Sequence, residues 1–323
     1  MPKASLVVLV IVLVGACLPA VSQSQAASAA LSGKLIIFHA GSLAVPVKEL
    51  SAAFEAAHPG VAVLSEASGS RTAARKVSEL GRQADLVMSA DYSVIDTLLM
   101  PTFASWDVIF ARNRMVIAYT DRSKYADEIN AKNWYQILQR TGVIYGHSDP
   151  NADPCGYRTL LVWQLAERYY GVSGLYQALV ADCPPANTRP KEVDLVALLQ
   201  SGDMDYAFEY QSVAVQHGLE FISLPEAIDL SRAQDADLYK RASVEINGSQ
   251  PGTTMRVTGS PILYGVTMVK NAPHPRLALA FIEFLLGPKG QAILSSCGQP
   301  PVVPARIEAG ADQLPAALDP FVR

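Results

Sequence analysis

Two short segments of this chain repeat one chemical theme. His39-Ala-Gly-Ser42 and Ala67-Ser-Gly-Ser70 each follow an apolar run, precede a helical pattern and join a glycine to a hydroxyl. Amide groups at the start of a helix have no helical acceptor and carry partial positive charge. Gly41-Ser42 and Gly69-Ser70 therefore suit an anion held by backbone N–H groups and hydroxyls without any cation. Helix capping alone is the structural alternative for either serine. A loop of a different kind, Ser148-Asp-Pro-Asn-Ala-Asp-Pro-Cys155, is too dense in turn residues for a simple connection and leads into a strongly patterned helix.

Other chemistry is poorly supported. Beyond the N-terminal segment the cysteines are Cys155, Cys183 and Cys297, an odd number that allows at most one internal disulfide, with three pairings open. None has the CxxC spacing of a zinc or redox site. His39, His58, His147, His217 and His274 are scattered, with no HxxxH pair and no HExxH run. An exported hydrolase using Ser42 or Ser70 as nucleophile would need a positioned base, and no GxSxG elbow is present. The expectation is a binding protein that is not an enzyme and needs no cofactor.

The elements that must position these loops read as an open α/β sheet. Strands are expected over 34–38, 61–66 and 85–88, each running into a loop of small hydroxyl residues and then a helix. In such sheets the loops at the carboxyl ends of the strands gather on one edge, where ligands bind. Two apolar runs, Val108–Phe110 and Met115–Tyr119, mark a crossover to a second unit. There the pattern gives helices over 133–140, 156–170 and 192–199, with strands over 143–147 and 206–210. Broken β structure from Ser243 returns the chain through 262–269, and helices over 275–286 and 288–294 close it. The length of 323 residues suits two such units. With 26 basic against 30 acidic side chains and 17% charged residues, the composition argues against disorder and against nucleic-acid binding.

The N-terminus reads as an address. Lys3, the apolar stretch Leu6–Val14 and a run rich in Ala, Ser and Gln to Ala30 have the form of a secretory signal peptide. The apolar stretch is shorter than the roughly 20 residues that span a bilayer. Leu13-Val-Gly-Ala-Cys17 also resembles a lipobox that would anchor the protein through a lipidated Cys17, and Ser28-Ala29-Ala30 offers ordinary cleavage. Either route places the mature chain at the periplasmic or extracellular face of the cytoplasmic membrane.

His39-Ala-Gly-Ser-Leu43, Ala67-Ser-Gly-Ser70, Asn151-Ala-Asp-Pro-Cys-Gly-Tyr-Arg158, Arg189-Pro-Lys-Glu-Val-Asp-Leu195 and Asp205-Tyr-Ala-Phe-Glu-Tyr210 follow one another in this order. Together they resemble the archaeal-type molybdate/tungstate-binding proteins of ABC importers. The resemblance implies the two-lobed periplasmic-binding-protein fold of the second type, with the ligand in the interlobe cleft. Lobe 1 is then 31–112 with 263–323, and lobe 2 is 113–262. It also implies an oxyanion site built from Gly41, Ser42 and Ser70 on lobe 1, and from Asp153, Pro154, Cys155, Glu192 and Tyr210 on lobe 2. Asp153 and Glu192 would each give an oxygen to the tungsten or molybdenum of the bound anion, while Tyr157 and Arg158 would support them. Glu192 is preferred to Glu209, which alternates with Tyr210 along a strand. The implied partner is the transmembrane permease of the importer, and a monomer is expected. Without the resemblance, Asp153 before Pro154 reads as a helix N-cap, Glu192 as a complement to the helix dipole and Tyr210 as a core tyrosine. A same-fold receptor for another oxyanion such as sulfate is the alternative.

Overall fold

The computed structural model describes Met1, Lys3 and residues 30–250 and 252–323. The apolar core of the leader, Cys17, Ser28 and Ala29 lie outside those residues, as does Pro251. The chain first lays down β1 (Ser32–Ala40), α1 (Ala44–Ala57), β2 (Gly60–Ser68), α2 (Ser70–Ser78), β3 (Leu86–Ser89), α3 (Tyr92–Leu98) and β4 (Asp107–Arg112). It then crosses to β5 (Met115–Tyr119), α4 (Trp134–Leu138), β6 (Tyr145–Ser148), α5 (Pro154–Tyr170), α6 (Leu175–Asp182) and β7 (Thr188–Arg189). After these come α7 (Val193–Ser201), β8 (Tyr206–Tyr210), α8 (Gln211–Gln216), β9 (Glu220–Ser223), α9 (Ala236–Tyr239) and a hairpin of β10 (Ser243–Asn247) and β11 (Thr254–Thr258). The return consists of β12 (Leu263–Met268), α10 (Pro275–Leu286), α11 (Pro288–Ser296) and β13 (Pro301–Ala309).

Two mixed sheets result. The first has six strands in the order β13-β4-β12-β3-β1-β2, and the second has five in the order β7-β6-β8-β5-β9. β1 runs parallel to both β2 and β3, so the loops after these three strands open on one edge. In the second sheet β6 runs parallel to β8, which brings the loops at 149–153 and 211 to a common edge. The chain passes between the sheets at Asn113–Arg114 and again at 259–262.

Burial follows the sequence pattern. Helix α1 buries Pro46, Val47, Leu50 and Phe54 along one stripe. Phe54 packs edge-on against Phe281 of α10, with ring centroids 5.3 Å apart, so the closing helices are fastened to the first sheet. Helix α5 starts at an Asp153 N-cap with Pro154 at its first position and stops at Gly171, whose φ of 66° only glycine adopts cheaply. Its middle carries Trp163 into the core, 5.4 Å from the ring of Phe208 on β8. Six elements were not foreseen from the pattern: α6, β7, α8, β9, α9 and β13. Strand β13 contains Pro301 and Pro304, residues that argue against a central strand, and it lies at the edge of its sheet.

Asp107, the first residue of β4, is fully buried. Its Oδ1 accepts from the Ala309 amide at 3.1 Å, while Oδ2 has no partner. Burial, reinforced by Asp96 and Glu308, pushes its carboxyl up to about 7. The folded state therefore keeps a proton that the unfolded chain releases near pH 4. Asp107 contributes stability that is complete below that pH and disappears as pH rises through about 7. Asp107→Asn is expected to raise the melting temperature by about 2–5 °C at pH 8 and to change it little at pH 4. Thermal unfolding followed by circular dichroism at the two pH values measures the difference.

Candidate functional site

The loop edges of the two sheets meet, and the singled-out residues lie on both sides of the junction. Ser42, Ser70, Asp153, Cys155, Glu192 and Tyr210 are all completely inaccessible to solvent. On the first sheet, Ser42 sits in a 3-10 turn, Gly41–Leu43, that leads directly into α1. Its Oγ lies 2.9 Å from the Tyr264 hydroxyl of β12. That phenol in turn accepts from Asn113 Nδ2 at 3.1 Å. The chain has a direction: an amide N–H that can only donate sets the phenol, and the phenol's own proton can satisfy Ser42 Oγ, which leaves the serine proton to point at a ligand. Ser70 is arranged similarly, since its Oγ accepts from the Ala90 amide at 2.9 Å and its proton remains to donate. Tyr264 was not singled out from the sequence, where it reads only as part of the returning strand.

On the second sheet, Asp153 Oδ1 accepts from the Cys155 amide at 3.3 Å, and Oδ2 accepts from the Glu192 amide at 3.1 Å. The N-cap reading of Asp153 is thus met, but by one oxygen only, and the other ties α5 to the start of α7. Both carboxyl oxygens of Glu192 are buried without a hydrogen-bond partner. They press on Gly41: a methyl group there would lie 2.7 Å from Glu192 Oε2. Glu209 is also buried, and both its oxygens lack partners. Burial pushes all three carboxyls upward, and the charge of Asp153 adds to the shift of Glu192 and of Glu209. Pro154 is the first residue of α5. The Cys155 thiol is held well above its ordinary range by burial and approaches the Phe208 carbonyl at 3.6 Å, a poor setting for a nucleophile.

Arg158 and Asp91 fasten the two sides together. Arg158 Nη1 donates to the Tyr210 hydroxyl at 2.7 Å and to the Ala90 carbonyl at 2.8 Å, and Nη2 pairs with Asp91 Oδ2 at 2.9 Å. The Tyr157 hydroxyl donates to the same Asp91 oxygen at 2.6 Å. Because Tyr210 accepts from a cation, its own proton is directed elsewhere, and burial keeps that proton in place. Asp91 also caps α3, accepting from the Ser93 amide at 3.0 Å. Only its place in the Ser89-Ala-Asp91 loop hinted at this role.

A second set of bonds closes the junction without touching the carboxylates. The Ala152 carbonyl accepts from the Arg71 and Thr72 amides of α2 at 3.1 and 3.3 Å. Arg71, buried to its tip, also reaches the carbonyls of Asn151, at 3.2 Å, and Asn247. Arg75 adds bonds to the carbonyls of Asn151 at 3.3 Å and Gly248 at 2.9 Å. Gly69 is required here, since any Cβ would collide with the Ala152 carbonyl.

The geometry gives no support for acyl-transfer chemistry. His39 Nδ1 and His147 Nδ1 are engaged by the Ala40 and Ser148 carbonyls, at 2.8 and 2.7 Å, and neither histidine bonds to Ser42 or Ser70. Burial lowers His39 to about 4, so it is neutral at ordinary pH. Among the described residues no cluster of three His, Cys, Asp or Glu side chains has the geometry to hold a bare metal ion. Among the described residues the three thiols, Cys155, Cys183 and Cys297, are free.

Two sheets with convergent loop edges and a buried polar junction define a two-lobed solute-binding protein. Residues 35–298 match the model of the bacterial extracellular solute-binding proteins, and the chain belongs to that family. It is 49% identical over 293 residues to an uncharacterized solute-binding protein of Petrotoga mobilis, covering 91% of each chain. It is 43% identical over 288 residues to the molybdate/tungstate-binding protein WtpA of Pyrococcus abyssi, covering 81% of this chain and 83% of that one. Among solved structures, the fold is shared with the periplasmic molybdate-binding protein of Azotobacter vinelandii (TM-score 0.60, 17% identity, 82% of this chain and 98% of that one). It is shared equally with the sulfate-binding protein SubI of Mycobacterium tuberculosis (TM-score 0.61, 16% identity, 89% and 91%).

Two substitutions probe the junction apart from the carboxylates. Arg71→Ala leaves Ser42, Ser70, Asp153, Glu192 and Tyr210 in place and is expected to weaken solute binding about tenfold, near 1.4 kcal/mol, mainly through faster release. Gly69→Ala is expected to cost more, because the added methyl wedges the sheets apart. Stopped-flow dissociation and calorimetry of the two variants measure both effects.

Proposed function

We propose that this chain is the extracytoplasmic receptor of an ABC importer, that it captures tungstate or molybdate between its lobes, and that it presents the loaded form to the transmembrane permease. In this reading 1–30 is a leader, either cleaved near Ser28-Ala29-Ala30 or processed to a lipid anchor at Cys17. Lobe 1 is 31–112 with 263–323, lobe 2 is 113–262, and the receptor works as a monomer.

The observation that carries the reading is the chemistry of the donor set. Ser70 and Tyr210 each accept from a group that can only donate and keep a proton to give, and Ser42 does the same when the Tyr264 phenol donates to it, which suits the oxygens of an anion. Asp153 and Glu192 enter the same junction with no cation to balance them: Arg158 is paired with Asp91, and Arg71 is turned toward backbone carbonyls. Two carboxylates would repel sulfate or phosphate by several kcal/mol in a buried cleft, as an order of magnitude. Tungsten and molybdenum accept further oxygen ligands, whereas sulfur and phosphorus in these anions do not. The oxygens of Glu192, which no donor satisfies, and those of Asp153 are the groups to supply them. The carboxylates would then attract one class of oxyanion and reject another. Gly41 lets Glu192 approach, Pro154 starts the helix that places Asp153, and the Cys155 amide, in a long 3.3 Å bond, has room to be shared with an anion oxygen.

Calorimetry of residues 31–323 with tungstate, molybdate, sulfate and phosphate tests the reading. Tungstate and molybdate are expected to bind at one per chain, and sulfate and phosphate at least about a thousandfold more weakly. Equal or stronger sulfate binding would overturn it. Glu192→Gln and Asp153→Asn are expected to lose most tungstate affinity while narrowing the discrimination against sulfate. X-ray absorption of the tungstate complex should show six oxygens around the metal in the wild type and fewer in either variant.

A further inference from the structure

A second concave site lies at the hinge, apart from the buried junction. Its cavity, about 800 Å³, is walled by both crossover segments, Arg112–Arg114 and Pro261–Leu263, and by Gly298 and Pro300. Five arginines line it, Arg112, Arg114, Arg232, Arg306 and Arg323, against a single lining carboxylate, Glu226. Acidic neighbours answer only part of this charge. Arg232 pairs with Glu226 and, at 3.2 Å, with Asp235, Arg306 with Glu308 at 2.8 Å, and Arg114 stands 3.8 Å from Asp229. Among the described residues, Arg112 and Arg323 have no carboxylate within ion-pair distance, and the Nε of Arg306 is buried without an acceptor.

The main chain that carries two of these arginines is fixed. The Arg112 amide donates to the Pro300 carbonyl at 2.9 Å, and the Arg112 carbonyl accepts from Gln299 Nε2 at 2.7 Å. The Arg323 amide donates to the Ala305 carbonyl at 3.0 Å, and the Arg323 carbonyl accepts from the Ile307 amide at 3.2 Å, so Arg323 is fixed to β13 beside Arg306. Like charges gathered in one concavity repel unless an anion is shared among them. The planar fork of a guanidinium matches the paired oxygens of phosphate and carboxylate groups. The volume, within the range of small-molecule sites, is large for one tetrahedral ion and suits an anion with two or more charged groups.

We propose that this hinge cavity is a second anion site, for a small polyvalent oxyanion such as a diphosphate or tricarboxylate, distinct from the interlobe site. Its position gives the occupant a route to the first site. Asn113, which lines the cavity, donates through Nδ2 to the Tyr264 hydroxyl, and that hydroxyl lies against Ser42 Oγ. The two sites are therefore two hydrogen bonds apart, and any influence of one on the affinity of the other must be reciprocal.

Pyrophosphate and citrate, titrated by calorimetry into residues 31–323 at fixed ionic strength, test the proposal. The titrations are run on the ligand-free protein and again after saturation with one equivalent of tungstate. Arg112→Ala/Arg323→Ala removes two exposed side chains that touch none of the residues of the interlobe site. Saturable binding of either probe at one per chain, reduced about tenfold or more in the double variant, is the expected result. Preference for one probe distinguishes phosphate from carboxylate as the ligand chemistry. Absence of saturable binding, undiminished binding by the double variant, or complete displacement by chloride at equal ionic strength would overturn the proposal. The ligand-free arm keeps this test valid if tungstate itself fails to bind.

Discussion

The structure turns on carboxyl groups buried without a counter-ion. Asp153 and Glu192 face the junction of two sheets, with the Glu192 carboxylate oxygens accepting nothing and Glu209 buried alongside in the same condition. An ionised carboxylate removed from water is costly unless it is bonded or paired, and burial accordingly pushes the Glu192 carboxyl upward toward its protonated form. Every other feature of the junction can be read as accommodating it. The nearby hydroxyls are neutral and already oriented, Gly41 yields space, and the guanidinium of Arg158 is engaged elsewhere.

Orientation is achieved by one-way donors. Arg158 acts on Tyr210 and Asn113 on Tyr264, and in both cases a group that can only donate fixes which way a phenol proton points. Asp91 holds Arg158 and Tyr157 together while capping α3, so a single carboxylate ties the helix that follows β3 to the helix that carries Asp153. Such a network polarises and orders its members, since each bond or charge pair positions the next. Beside it, the carboxyl oxygens of Glu192 and Glu209 remain without partners.

Much of this organisation is visible in the bare sequence, and the reasons for the gaps are physical. The alternation of apolar runs and helical stripes gives β1 to β3 and α1 to α3, because each element carries its own local pattern. The Asp153-Pro154 cap is legible because a single turn of backbone decides it. Strand β13 is not, since two prolines disqualify it until its edge position is known. Tyr264 and Asn113 carry no local signal at all, and Asp91 only that of a helix cap: Ser42 and Tyr264 are 222 residues apart, and their meeting depends on the crossover. Asp153, Glu192 and Tyr210 were singled out by the order of family motifs, and their local patterns alone suggested capping and core packing. The unpartnered oxygens of Glu192 are a property of the assembled junction that no pattern of residue types records.

The clasp between α2 and the loop before α5 is made of arginines and amides on one side and of main-chain carbonyls on the other, at Asn151, Ala152, Asn247 and Gly248. A carbonyl is the same in every residue. The grip itself asks nothing of the side chains, although Asn151 Oδ1 holds the Asn247 amide at 2.9 Å and Gly248 leaves no room for a Cβ beside Thr253, so the backbone path depends on both. Insertion or deletion of one residue in 149–152 would shift the register of every carbonyl at once. The loop is therefore intolerant of changes in length, the reverse of what is usual for a surface connection.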